Sequence, residues 1–198
     1  MQTRRELLFT LASATIPVAD SHIFAENDCL SQESARGFRL LLRRVVSGNI
    51  IILPGSRGVS LERAVALRRA AMRGALVVIE GAPAFRSHNV IRDVFGFELQ
   101  PPRSVANTDR LYIQYTWPVP RLVRHFSSIM PVCCLPSEKI AEFAGITVCA
   151  KRRVGRGAII FLGSMLGPVL LAEEKEAHDV TRAILRSAAT SLFKPEEM

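Results

Sequence analysis

No apolar run in this chain reaches the roughly 18–20 residues that a membrane-spanning helix requires, and no cysteine pair shows the C-x-x-C spacing of a zinc or redox motif. The first absence excludes a helical span through the body of the chain, which is expected to be soluble. The second leaves Cys29, Cys133, Cys134 and Cys149 as buried thiols or disulfide partners. Trp and Tyr are sparse, at one and two beside ten Phe, and no aromatic residues interleave with a basic stripe. A stacking platform for nucleic acid is therefore not indicated. Neither an internal repeat nor a low-complexity linker is present, so one domain is the simplest count for 198 residues.

What the chain does have is positive charge, +8 overall. The charge resides in Arg43-Arg44, Arg68-Arg69, Arg121, Arg124 and Lys151-Arg152-Arg153, spread over different elements. That pattern fits solvated faces or contact with anionic headgroups and acidic polymers. It survives removal of residues 1–25, where Arg4 and Arg5 are offset by Glu6 and Asp20. Residues 1–25 themselves read as a twin-arginine-type signal segment: the paired arginines precede an uncharged stretch from Leu7 to Ala19. The reading places residues 26–198 in the periplasm or outside the cell, tethered to the membrane where the signal stays uncleaved. In such an oxidising compartment Cys29 can pair with Cys133 or Cys134.

The order of elements predicts an α/β domain. Ala35, Phe38, Leu41, Leu42 and Val45 recur at helical spacing over 31–47, and Gly48 follows. Asn49 to Leu53 is an unbroken apolar strand stopped by Pro54-Gly55, and Ser60 opens a helix that Gly74 closes. A second buried strand, Ala75 to Ile79, meets a sharp corner at Glu80-Gly81. Beyond it come a short helix over 90–97, a strand over 111–115, and two turns of helix over 121–128. An irregular piece around Cys133-Cys134 precedes a hairpin over 146–163 turned at Gly155-Arg156-Gly157. A helix over about 172–191 ends the pattern.

Three of these segments, Leu53-Pro54-Gly55, Gly74 through Gly81, and Gly155 through Gly163, resemble in order and spacing the class I glutamine amidotransferase-like superfamily, including its trehalose-utilisation-protein-like branch. The resemblance covers about residues 36–190. It implies a flavodoxin-like three-layer sandwich with a mainly parallel sheet and a late β-hairpin, and a site at the carboxyl ends of the strands. Members of that superfamily carry a nucleophilic Cys at the corner and a His-x-Glu pair after the late strand. Here those positions hold Glu80 and Ser164-Met165-Leu166. A carboxylate cannot replace a thiolate in thioester formation, so glutaminase activity is not expected.

Three functional readings follow. The first is an exported, non-catalytic amidotransferase-like domain that binds a small ligand or protein partner through Ser56, Arg57, Gly81 and His88, the loop at 55–58 offering an anion-binding nest. The second is a hydrolase using Glu80 as a base with Ser56 or Ser164. The third is a basic protein acting at the membrane surface. None implies a cofactor or a metal. Glu80 also has a purely structural alternative, since a carboxylate at a strand end often caps helix N–H groups.

Overall fold

The computed structural model describes residues 22–24, 29–42, 49–55, 58–81, 84–104, 111–125 and 128–191. In chain order the elements are β1 (His22–Ile23), α1 (Cys29–Leu42), β2 (Ile50–Leu53), α2 (Leu61–Met72) and β3 (Leu76–Glu80). After these come α3 (His88–Val90), running into a wide turn over Ile91–Phe95, then β4 (Glu98–Leu99), β5 (Arg103–Ser104), β6 (Leu111–Tyr115) and β7 (Arg121–His125). The rest are β8 (Ser128–Ile129), β9 (Val132–Cys133), β10 (Lys139–Phe143), β11 (Ile146–Val154), β12 (Gly157–Leu162), α4 (Gly167–Leu171) and α5 (Lys175–Ser191).

Eight strands form one sheet in the order β1-β2-β3-β12-β11-β10-β6-β7. The first four are parallel, and every later pairing is antiparallel. Two small ribbons, β4 with β9 and β5 with β8, lie apart from it. The expected mainly parallel, flavodoxin-like sandwich is corrected by this topology: the sheet is mixed, with half of its strands antiparallel. Loop length is the reason, because a parallel connection needs a crossover of a dozen or more residues. Two of the links in the second half are tight turns. Ala144 and Gly145 join β10 to β11 with φ of 48° and 79°, and Gly155 starts the β11 to β12 turn at φ 58°, the positive values that two-residue hairpins demand.

The stretch 121–128, expected as helix, supplies β7 instead. Val123 and His125 are buried while Arg121 and Leu122 are exposed, and pairing with β6 from Leu111 opposite His125 to Tyr115 opposite Arg121 settles its conformation. Strand β10, KIAEF, is an element that the sequence pattern does not mark.

The parallel strands are apolar on both faces because both are covered. Ile50, Ile52, Leu76, Val78, Ile160 and Leu162 pack with Phe38 and Leu41 of α1, Val169 and Leu170 of α4, and Val180 and Ile184 of α5. On the other face Ile51, Leu53, Val77, Ile79, Ile159 and Phe161 meet Leu67, Ala70 and Ala71 of α2 and the Ile91–Phe95 turn. Burial of one such Leu, Ile or Phe side chain contributes about 1.5–3 kcal/mol. Helix α2 is capped by Ser60, whose side chain accepts from Arg63 N–H at 3.2 Å. Helices α1 and α4 cross where both present glycine: a Cβ on Gly37 would overlap the Gly167 carbonyl, and one on Gly167 would overlap Ser34. That crossing lies directly over the Glu80 corner.

Candidate functional site

Glu80 ends β3 with no solvent exposure. One carboxylate oxygen, Oε2, accepts from the Ser34 hydroxyl of α1 and from Gly55 N–H at 2.8 Å. The other, Oε1, accepts from Leu166 N–H at 2.6 Å and Gly167 N–H at 2.7 Å, the first turn of α4. Burial pushes its carboxyl above the usual range, opposed by Ser34 and the three backbone donors, which favour the charged form. A general base has to reach the proton that it removes. Here both oxygens are saturated and sealed from solvent, so in this conformation Glu80 ties α1, the end of β2 and α4 to the sheet.

None of the other expected site residues that are described donates to either carboxylate oxygen. Gly81 is buried and gives its N–H to Leu162 O at 2.8 Å, which removes it as an anion donor. Ser164 is buried, and its hydroxyl makes no hydrogen bond to Glu80 or to any other described group. His88 is half-buried at the start of α3. Ser56 and Arg57 lie outside the described residues, as do Arg4, Arg5 and nearly all of the signal segment. Cys29, Cys133 and Cys134 carry free thiols. Cys149 is buried in β11, and its thiol is pushed up to about 12 by that burial, far from the thiolate that nucleophilic chemistry needs. Beside it, Tyr115 Oη lies 3.3 Å from His125 Nε2. Among the described residues no three His, Cys, Asp or Glu side chains gather to hold a metal, and no helix is long and apolar enough to cross a membrane.

An open site lies elsewhere. A cleft of about 470 Å³ is lined by Tyr112 on β6, Leu122 and Arg124 on β7, and Glu174, Glu176 and Ala177 at the start of α5. Strand pairing creates half of it, since Tyr112 sits opposite Arg124 and Gln114 opposite Leu122, which puts these side chains on one face of the hairpin. The rings and chains on that face stay exposed, Tyr112 at 38% and Leu122 at 55%. Arg124 Nη1 reaches Glu174 Oε1 at 3.9 Å. Glu176 lies in the first turn of α5, where the helix dipole favours a negative charge.

No family model matches the chain, and no curated protein does either. Solved structures do. The β-galactosidase from Rahnella sp. R3 superposes with a TM-score of 0.63 at 11% identity, over 84% of this chain and 30% of that one. The GH42 β-galactosidase Gan42B from G. stearothermophilus gives 0.59 at 15% identity, over 83% and 30%. The exo-β-1,4-mannosidase Op5Man5 from Opitutaceae bacterium strain TAV5 gives 0.59 at 14%, over 93% and 38%. The fold is shared with part of these glycoside hydrolases. This chain spans about a third of the length of each of these three glycoside hydrolases.

These neighbours correct the resemblance to the amidotransferase-like superfamily, and with it the reading of an exported amidotransferase-like binding domain. The motifs behind that resemblance have local causes. Gly155 is a hairpin turn pressed on the end of α2, where a Cβ would come within 2.8 Å of Met72 backbone atoms. The Gly74 to Gly81 stretch is a buried parallel strand with its turn, a pattern that any α/β sheet produces.

Proposed function

We propose that this chain is a sugar-binding module of glycoside-hydrolase-type carbohydrate processing, with the saccharide held in the cleft of Tyr112, Leu122, Arg124, Glu174 and Glu176. The observation that carries the proposal is that one cleft sets an exposed aromatic ring and an aliphatic side chain beside a guanidinium and two carboxylates. A pyranose presents an apolar C–H face and a rim of hydroxyls. The ring and Leu122 suit the face, and the charged groups make charge-assisted hydrogen bonds to the rim. The cleft volume falls in the range of small-molecule sites. The glycoside hydrolase neighbours support the ligand class.

A second reading, hydrolysis at this same cleft, is favoured by the presence of two carboxylates there, because glycoside hydrolysis ordinarily uses an acid and a nucleophile or base of that kind. Glu80 would not take part in it, having no access to a substrate.

Calorimetric titration with galactose, mannose and fucose tests the first reading. The wild-type chain should bind at least one of them, and Tyr112→Ala and Glu174→Gln should each weaken binding by about tenfold or more. Absence of binding, or a Tyr112→Ala variant that binds like wild type, would sink it. Release of nitrophenol from the matching nitrophenyl glycosides, lost in both Glu174→Gln and Glu176→Gln, would establish the second reading instead.

A further inference from the structure

The Tyr112 cleft carries charge of the opposite sign to the chain as a whole. The chain is +8 overall, yet the charged side chains that line this cleft are two carboxylates, Glu174 and Glu176, and one guanidinium, Arg124. Lys175 lies between the carboxylates in sequence but does not line the cleft. Arg124 is already engaged, with Glu174 3.9 Å away. Glu176 is exposed in the first turn of α5 and has no ion-pair partner among the described residues. The dipole of α5 adds about half a positive charge near it, which lessens the excess of negative charge and does not reverse it.

The surroundings of Glu176 narrow the ligand further. Tyr112 offers a ring that is 38% exposed, and the face of an aromatic ring attracts a cation as well as an apolar C–H surface. The cleft therefore combines an apolar surface, from Tyr112 and Leu122, with a carboxylate that nothing neutralises. A neutral pyranose uses the apolar surface and leaves that carboxylate with hydroxyl donors alone. An ammonium group gives it a charge-assisted hydrogen bond, roughly twice as strong as a neutral one. A sugar acid would meet like charge there.

We infer, building on the sugar-binding reading of this cleft, that its preferred ligand is a basic amino sugar, a hexosamine whose ammonium group pairs with Glu176 while its ring lies against Tyr112 and Leu122.

The test is calorimetric titration of the full chain with galactosamine and mannosamine, each beside its neutral sugar and its N-acetyl form. It is run at pH of about 6, where an amine of this kind is protonated, and at an ionic strength of about 0.05 M, where charge is least screened. At least one hexosamine should bind about tenfold more tightly than its neutral counterpart. The N-acetyl form keeps the nitrogen and loses the charge, so it should show no such gain. Glu176→Gln should abolish the gain, whereas Glu62→Gln, the same loss of charge at an exposed position on α2, should leave it intact. Ethanolamine, an ammonium group without a sugar ring, should bind far more weakly than the hexosamine. Hexosamines that bind no better than galactose and mannose, or that keep their gain in Glu176→Gln, would overturn the amino-sugar preference and leave the sugar-binding reading standing. Ethanolamine binding as tightly as the hexosamines would overturn both, since the cleft would then take any cation. Failure of every sugar to bind would also overturn both.

Discussion

Replacing Glu80 by Gln changes one atom from acceptor to donor and leaves the shape of the side chain alone. Every group facing that side chain is a donor: the Ser34 hydroxyl and Gly55 N–H on one oxygen, Leu166 N–H and Gly167 N–H on the other. Whichever way the Gln amide is turned, its NH2 confronts at least one backbone N–H that cannot reverse its role. Ser34 can rotate to accept, so the milder orientation leaves Gly55 N–H opposed and the harsher one leaves both Leu166 and Gly167. A buried N–H without an acceptor costs about 1–3 kcal/mol. Removing the charge recovers part of the desolvation that raises the Glu80 carboxyl. The expected loss for Glu80→Gln is therefore about 2–4 kcal/mol, a large share of the roughly 5–15 kcal/mol that holds a domain together. Urea unfolding followed by far-ultraviolet circular dichroism measures it, and Ser34→Ala, which removes one donor and leaves three, should cost less. A Glu80→Gln protein within about 0.5 kcal/mol of wild type would refute the staple and reopen a chemical role for the carboxylate.

Three further outcomes follow. Gly167→Ala puts a methyl group into Ser34 where α1 and α4 cross, so it should destabilise the protein by about 2 kcal/mol or more in the same assay; a neutral result would mean that the crossing is looser than described. His125 is buried, and burial alone lowers its imidazole from 6.5 to about 3. Its unfolded form takes up a proton first as pH falls, so the folded state loses stability through the window from about 6.5 down to about 3, by at most roughly 5 kcal/mol at the bottom. His125→Phe should flatten that part of the stability profile, and an unchanged slope would locate the acid sensitivity elsewhere. Lys in place of both Arg4 and Arg5 should retain the protein in the cytoplasm of a bacterial host if they form a twin-arginine signal; an unchanged periplasmic fraction, measured by immunoblot, would remove that route.

The elements that could be read from the chain are those whose pattern is decided locally. Leu76 to Glu80 is buried at every position, and a run of that kind bounded by Gly74 and Gly81 has few conformations open to it. Arg121 to His125 shows the opposite case, since RLVRH carries a weak alternation that a helix could also hold, and it becomes strand because β6 is there to pair with it. The antiparallel pairing of β10 with β6 has no local signal for the same reason, because the two strands become neighbours across a gap of more than twenty residues.

Site residues divide along the same line. The position of Glu80 at a strand end was legible, but its surroundings were not, since its donors come from Ser34, Gly55, Leu166 and Gly167, which lie 25 to 87 residues away in sequence. The Tyr112 cleft carried no local signal. Glu174 and Glu176 look like the polar start of a helix, Tyr112 like the solvent side of a strand, and Leu122 like part of a short helix. A site at a strand corner is marked in the sequence because a backbone turn must be built there. A site made from the outward faces of a hairpin and a helix needs no turn, glycine or proline of its own, so only the folded chain brings its residues into view.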